Sequence, residues 1–175
     1  SRGLRWQVEN VLPAVATALL LEISLPSIKK VLENFKGLEH RLEWVCSRDG
    51  VDYINDSKGT NVGSACKSLN TFDRPIILIA GGKDKNADFS PLKKIMKEKV
   101  KHLVLIGETR PKFRSMLNGS FGYEESDSLE DAVRKAKGKA EKGDVVLFSP
   151  ACASFDMFKD FIDRGNQFKS IVNNL

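Results

Sequence analysis

The chain has 175 residues, of which 41% are hydrophobic and 29% are charged, so it can bury one good core and perhaps a small appendage. Its 28 Lys and Arg residues exceed its 23 Asp and Glu residues by five, but they are spread along the chain without interleaved aromatic residues, which argues against nucleic-acid binding. The longest apolar stretch is too short and too polar to insert into a membrane, and three scattered cysteines predict reduced thiols in a cytoplasmic protein.

The first two predicted elements are helices. Apolar residues at helical spacing predict one helix over Val8–Leu21 and a second over Leu25–Phe35, which Gly37 ends. Alone, these helices would form a hairpin with nothing to pack against. We therefore expect residues 1–36 to be the end of a preceding domain and residues 37–175 to form a domain of their own. The chain also opens without an initiator Met, as a piece of a larger protein would.

After residue 37, short strands alternate with helices. Strands are predicted at Arg41–Cys46, Val51–Asn55, Pro75–Ala80, His102–Ile106, Phe121–Glu124 and Asp144–Phe148. Helices are predicted at Thr60–Leu69, Ser90–Lys99, Pro111–Leu117, Leu129–Glu141 and Phe155–Val172. This alternation predicts an α/β protein with a Rossmann-like, mostly parallel sheet and helices on both faces.

Ligands of such sheets bind beyond the carboxyl ends of the strands, so the loops after the strands are the candidate functional segments. Residues 55–61, 81–85, 107–108 and 149–154 form these loops, and small or polar side chains predominate in them. We expect the loops to meet at one edge of the sheet. Many of their polar residues have a simpler explanation as helix caps, namely Asp56, Ser57, Thr60 and Ser154.

Two lysines distinguish these loops from ordinary capping segments. Lys58 and Lys85 each follow a predicted strand and precede a helix, where the helix amides and a positive charge would together hold an anion. For either lysine alone, a solvated surface position is commoner than a role in anion binding. Together with Thr60 and Ser154, they predict a site for a carboxylate or a phosphate.

Several self-sufficient chemistries find no support in the sequence. There is no glycine-rich dinucleotide fingerprint and no phosphate loop, and the two histidines are too few and too separated for a zinc site. Neither histidine has a serine or cysteine partner in a nucleophile motif. Cys152 has no base near it in sequence and is expected to be a buried structural residue. We therefore assign no catalytic or metal-binding residue.

Four segments resemble, in order and spacing, the last third of the Mur ligases, and specifically of the members that add D-glutamate. They are Gly37–Glu43, Asn55–Asn61, Gly81–Phe89 and Ser149–Asp156, and the closing stretch 158–166 fits as well. The resemblance covers essentially everything after residue 36. Its most specific element is Asn-Asp-Ser-Lys-Gly-Thr-Asn at residues 55–61, because sister ligases for other amino acids carry an Asp followed by a His in this loop.

The resemblance implies an ATP-dependent ligase that joins D-glutamate to UDP-N-acetylmuramoyl-L-alanine through an acyl phosphate, in the synthesis of peptidoglycan precursors. ATP and Mg²⁺ would be bound mostly by a central domain, of which residues 1–36 would be the last helices. The chain would pack with the rest of its own protein, the central and N-terminal domains. The isolated chain is expected to be inactive. Two alternatives stay open: another Mur-type or folylpolyglutamate-type ligase domain, and a non-catalytic module that binds an acidic amino acid.

The resemblance also implies residue roles. The substrate-binding residues would be Lys58, Thr60, Lys85, Ser154, Phe155 and Phe161, and the nucleotide-binding residues would be Asn10, Arg41 and Asp56. The segment Trp6–Asn10 keeps only the last Asn of the stretch that contacts adenine in the family, so Asn10 is the candidate there. His40 would lie at the hinge between domains, either as a packing residue or as a ligand contact.

Overall fold

In the computed structural model of the chain, residues 8–119 and 121–175 are described, without the side chains of residues 8–10. The helices of this part are α1 (Val8–Leu20), α2 (Leu25–Asn34), α3 (Val62–Asn70), α4 (Ser90–Lys99), α5 (Arg110–Leu117), α6 (Leu129–Lys139) and α7 (Phe161–Asn173). The strands are β1 (Glu43–Arg48), β2 (Val51–Asn55), β3 (Ile76–Gly81), β4 (Val100–Ile106), β5 (Tyr123–Glu125) and β6 (Val145–Phe148).

The strands form one sheet in the order β1-β2-β6-β3-β4-β5, in which β1 is antiparallel to β2 and the other neighbours are parallel. This confirms the predicted α/β class and the mostly parallel sheet. Phe148 of β6 lies opposite Asn55 of β2 on one side and Ile79 of β3 on the other. Strands β2 and β6 therefore end at the same level, β3 continues for two more residues to Gly81, and the loops that follow them start side by side.

Each face of the sheet carries its own apolar core, which confirms the predicted helices on both faces. On one face α3, α4 and α5 contribute Leu69, Leu92 and Phe113, all completely buried. On the other face α6 and α7 pack against the sheet, and Phe168 stacks on Phe148 with ring centroids 4.9 Å apart. Because the central strands are covered on both sides, their residues are apolar throughout rather than alternating.

The last helix begins later than the sequence predicts. We expected it to start at Phe155 with Ser154 as its cap, but α7 begins at Phe161 and its cap is Asp160, whose carboxylate accepts from the amides of Ile162 and Asp163. The Ser154 carbonyl instead accepts from two amides of a tight turn three and four residues further on. Ser154 and Asp160 both carry side-chain oxygens that can accept from helix amides, so residue type alone does not distinguish the two caps.

Two further boundaries also needed correction. The first strand begins at Glu43 rather than Arg41, because His40 and Leu42 have left-handed backbone conformations, with φ of 63° and 46°. Helix α3 begins at Val62 rather than Thr60, and its cap is Asn61, whose side chain accepts from the Ser64 amide at 2.9 Å. The interpretation of Asp56, Ser57 and Thr60 as caps is therefore wrong for α3, because Asn61 of the same loop is its cap.

Apolar side chains remain exposed mainly along α1 and α2. Of ten exposed large apolar residues in the described part of the chain, eight lie between positions 12 and 38: Leu12, Leu19, Leu20, Leu21, Ile23, Leu25, Val31 and Leu38. Such a concentration is typical of a surface that another body covers. None of the described helices is long and apolar enough to cross a membrane.

Candidate functional site

The four loops after the central strands meet at one edge of the sheet, as the sequence predicts. Backbone hydrogen bonds join them, from the amides of Asp56 and Lys83 to Phe148 O (2.8 Å) and Ala153 O (2.9 Å). The Glu108 amide donates to the side chain of Asp156, at Oδ2 (2.9 Å). The loops therefore form one connected platform, in which a shift of one loop displaces its neighbour. A ligand at this edge would contact residues that are far apart in sequence.

Lys58 and Phe161, two of the predicted substrate-binding residues, are brought into contact. The Lys58 ammonium lies 4.0 Å from the centroid of the Phe161 ring, which is a cation–π geometry. The neighbouring Ser57 hydroxyl donates to the Phe161 carbonyl at 2.8 Å. Lys58 is exposed, so its charge stands at the surface of the platform while the ring limits where it can go.

The other predicted substrate-binding residues lie on the same platform, and no hydrogen bond or ion pair of the described residues joins their side chains to one another. Ser154 is buried, Thr60 is half-buried, and Phe155 is 68% exposed. Lys85 is exposed, and within residues 8–119 and 121–175 its ammonium has no ion-pair or hydrogen-bond partner. The pairing of Lys83 with Ala153 places the loop of Lys85 beside the loop of Ser154.

Asp56, a predicted nucleotide-binding residue, has a carboxylate that is turned into the protein. Its Oδ1 accepts from the Leu42 amide at 3.2 Å, and its Oδ2 accepts from the hydroxyls of Ser68 at 2.6 Å and Ser149 at 2.7 Å. Burial raises the pKa of this carboxyl group to about 6, although the three donors oppose the increase. Gly59 leaves room for it, since a Cβ there would lie 2.6 Å from Oδ2.

The remaining predicted nucleotide-binding residues are Arg41 and Asn10. Arg41 is half-buried and directly precedes the Leu42 amide that Asp56 holds, and its positive charge lowers the pKa of Asp56 slightly against the effect of burial. Asn10 belongs to α1, but its side chain lies outside the described residues. The prediction for Asn10 therefore stays a prediction.

His40 lies beneath Phe161, where the segment from α2 enters the domain. Its ring is buried and packs edge-on against Phe161 with centroids 6.1 Å apart. Nδ1 of the ring lies 3.0 Å from Nδ2 of the Asn55 side chain. The His40 carbonyl accepts from the Lys58 amide at 2.9 Å. Gly165 of α7 makes room for the ring, because a Cβ there would lie 2.2 Å from Nδ1. His40 therefore packs between the entry segment, the Lys58 loop and α7.

Sequence reasoning gave no role to Arg164, which is the largest fully buried side chain of the described part of the chain. The spacing of residues along α7 nevertheless indicates that Arg164 is buried. Arg164 shares the buried face of α7 with Phe168 and Val172, four and eight positions further on, so helical periodicity places a charge on an apolar face. Buried charges of this kind are either paired or fully hydrogen-bonded.

Cys152 is buried in the loop after β6, next to the Thr109 hydroxyl at 3.5 Å. Burial raises the pKa of its thiol to about 11, so the nucleophilic thiolate is scarce at neutral pH. This supports the predicted structural role. Among the described residues there is no group of three or more His, Cys, Asp and Glu side chains that could hold a metal ion.

Comparison with known proteins identifies relatives of this domain. Residues 40–152 match the family model described as Mur ligase, glutamate ligase domain. The UDP-N-acetylmuramoylalanine–D-glutamate ligase of Geotalea daltonii is 47% identical over 168 residues, which cover 96% of this chain and 37% of that protein. The chain thus spans little more than a third of the length of the relatives that it matches.

Solved structures with the same fold have much lower sequence identity. UDP-N-acetylmuramate–alanine ligase from Thermotoga maritima gives a TM-score of 0.69 at 16% identity, over 96% of this chain and 38% of that chain. The bifunctional folylpolyglutamate synthase/dihydrofolate synthase of Yersinia pestis, complexed with AMPPNP and Mn ion, gives 0.58 at 18% identity, over 85% and 35%. At such identities the likeness establishes the fold alone.

Proposed function

This chain belongs to the Mur ligase family, and from this premise we propose that it is the amino-acid-binding domain of an ATP-dependent ligase that joins D-glutamate to UDP-N-acetylmuramoyl-L-alanine. The observation that carries the proposal is 47% identity to a D-glutamate ligase over 96% of the chain. Fold similarity alone would fit ligases of several amino acids equally well. The proposed setting is peptidoglycan precursor synthesis in the cytoplasm.

The platform suits a dianionic amino acid. D-glutamate carries two carboxylates, and the platform offers the ammonium groups of Lys58 and Lys85 from two different loops. We propose that Lys85 pairs with one carboxylate, because its ammonium has no other partner in the described part of the chain. Ser154, the backbone of Phe155 and Phe161 would hold the other carboxylate end of the amino acid, while Lys58 and Thr60 would face the amino-acid site.

For nucleotide binding, the geometry favours different roles for Arg41 and Asp56. Both oxygens of the Asp56 carboxylate are occupied by donors from within the chain. We propose that Asp56 acts by holding the Leu42 amide, which fixes the neighbouring Arg41 where it can approach the phosphates. Asn10 would contact the adenine ring from the other domain.

The reaction that we propose has two steps. The carboxylate of the L-alanine residue attacks the γ-phosphate of ATP to give an acyl phosphate and ADP. The amine of D-glutamate then attacks the acyl carbon, and the tetrahedral intermediate expels phosphate. The part of this chain is to hold the amine at attack distance from a water-sensitive intermediate, and such positioning can supply roughly 7–11 kcal/mol of barrier lowering.

ATP and Mg²⁺ are assigned mainly to the rest of the protein. The described residues contain no cluster of acidic, His or Cys side chains suited to a metal ion. We propose that residues 1–36 end the ATP-binding domain and that residues 37–175 form the amino-acid-binding domain. The exposed apolar side chains of α1 and α2 support this division, since a neighbouring domain would cover them.

Lys85→Ala in the full-length protein is expected to raise the KM for D-glutamate roughly 10-fold or more, because a charge-assisted contact to a carboxylate is lost. The KM for ATP should change little. Steady-state kinetics with each substrate varied in turn would measure both. Lys83→Ala is the matched control, since Lys83 lies two residues away and already pairs with Glu108 at 2.6 Å. Equal increases in both KM values would show that Lys85 does not bind the amino acid.

A further inference from the structure

Arg164 joins the ends of two loops that are nearly a hundred residues apart in sequence. Its Nε donates to the Ser57 hydroxyl at 2.9 Å, and one terminal nitrogen donates to the Ser57 carbonyl at 2.8 Å. The other terminal nitrogen donates to the carbonyls of Cys152 at 3.2 Å and Ala153 at 3.1 Å. The guanidinium therefore connects the loop after β2 to the loop after β6 through four hydrogen bonds.

The residues that Arg164 holds directly precede two of the proposed substrate-binding residues. Ser57 precedes Lys58, and Ala153 precedes Ser154. The Ser57 hydroxyl that accepts from Arg164 also donates to the carbonyl of Phe161, whose ring lies under the Lys58 ammonium. The position of the guanidinium thus sets the spacing between Lys58 and Ser154.

The loop after β3 closes around the same group. Gly82 has a φ of 146°, and a Cβ on it would lie 3.3 Å from a terminal nitrogen of Arg164 and 2.3 Å from the Ala153 carbonyl. Only a residue without a side chain allows this approach. The loop that carries Lys85 is therefore packed directly against the two loops that Arg164 joins.

The charge of Arg164 has no acidic partner at contact distance. In the described part of the chain no carboxylate lies within 4.0 Å of its guanidinium, although the side chain is completely buried. Burial lowers its pKa to about 10, so it keeps its charge at neutral pH. A buried positive charge without a counterion costs free energy, which hydrogen bonds to three carbonyls and a hydroxyl partly offset. An apolar residue of similar size would avoid this cost and lose the link between the loops.

We infer that Arg164 is a positioning residue that locks the Lys58 loop to the Ser154 loop and so fixes the spacing of the groups that hold the amino acid. The inference rests on the proposed function for the identity of the ligand. The link itself rests only on the four hydrogen bonds. A lysine has the charge but not the planar fork of donors, so it cannot reach both loops at once.

Arg164→Lys in the full-length protein is expected to raise the KM for D-glutamate roughly 10- to 100-fold, because displacements of about 1 Å in a positioned substrate have effects of this size. The KM for ATP should change less than about twofold. Arg48→Lys is the matched control. Arg48 also donates to backbone carbonyls of α7, those of Val172 and Asn173, at the end of the helix remote from the platform. Arg48→Lys should leave the KM for D-glutamate unchanged.

Ser57→Ala is the milder second variant, because it leaves the buried charge and three of the four hydrogen bonds of Arg164 in place. It also removes the hydrogen bond from the Ser57 hydroxyl to the Phe161 carbonyl, through which the guanidinium is linked to the Phe161 ring. It should raise the KM for D-glutamate several-fold. An unchanged KM in Arg164→Lys, or in Ser57→Ala if the first variant does not fold, would overturn the inference. So would equal changes in the KM for D-glutamate and ATP.

Amide hydrogen exchange separates this inference from the proposed function. If the wild-type protein does not use D-glutamate, the proposed function fails, but the link between the loops can still be measured. Exchange at residues 57–60 and 151–154 should accelerate together in Arg164→Lys or Ser57→Ala and stay unchanged in Arg48→Lys. Faster exchange in one loop alone, or in neither, would show that Arg164 does not connect them.

Discussion

Gly165→Ala is expected to destabilise the chain by about 3 kcal/mol, the upper part of the range for overpacking a buried position. The added methyl group would lie 2.2 Å from Nδ1 of His40 and within 3.0 Å of two ring carbons. The ring cannot easily retreat, because it is buried between Phe161 and Asn55. Either α7 or the entry segment must therefore move.

Urea unfolding of the isolated chain would measure this effect, with Gly138→Ala as the matched control. Gly138 is also helical, but a Cβ there meets nothing within 4 Å. That substitution should stabilise the chain by about 0.5–1 kcal/mol through helix propensity alone. Adding His40→Gly to Gly165→Ala should recover part of the loss, since Gly suits the φ of 63° at residue 40 and vacates the space. Equal stability changes in the two Gly→Ala variants would contradict the packing role of His40.

The stability of the chain should also depend on the protonation of Asp56. Its folded-state pKa of about 6 lies above the ordinary aspartate pKa of 3.8, so the folded state binds the proton more tightly than the unfolded state. The stabilisation is fully present below the unfolded pKa and is lost as the pH rises through about 6. The shift corresponds to about 3 kcal/mol between these limits.

Unfolding free energies of the wild type and Asp56→Asn would test this, measured between about pH 3.5 and pH 7.5 in steps of about half a pH unit. The variant should lack the loss of stability with rising pH. His40 and His102 have pKa values lowered by burial, so they act in the opposite direction, gaining stability as the pH rises. The difference between wild type and variant removes their contribution. The same pH dependence in both proteins would show that Asp56 is not the titrating group.

The sheet was predictable because the composition of its inner strands β3 and β4 identifies them. Residues 76–80 and 103–106 are uninterrupted apolar runs, and a strand buried on both faces requires such a run. The start of α7 was not predictable in this way. Ser154 and Asp160 are both suitable caps, and the choice depends on the turn after Ser154 and on contacts with distant loops.

Parts of the site were predictable for a similar reason. Lys58 and Lys85 follow strands, and the carboxyl ends of parallel strands meet. The environment of Asp56 could not be predicted, because its partners Ser68 and Ser149 come from a helix and from a strand end 93 positions further on. Arg164 could be placed on a buried face by periodicity, but three of its four acceptors are backbone carbonyls, which the sequence does not distinguish.

The most direct test of the proposed function is amino-acid-dependent ligation by the full-length protein that contains this chain. With ATP and UDP-N-acetylmuramoyl-L-alanine present, release of ADP and formation of the extended precursor should require D-glutamate. L-glutamate at the same concentration should support neither. Ligation of L-glutamate to a folate, or no dependence of ADP release on D-glutamate, would contradict the proposed function.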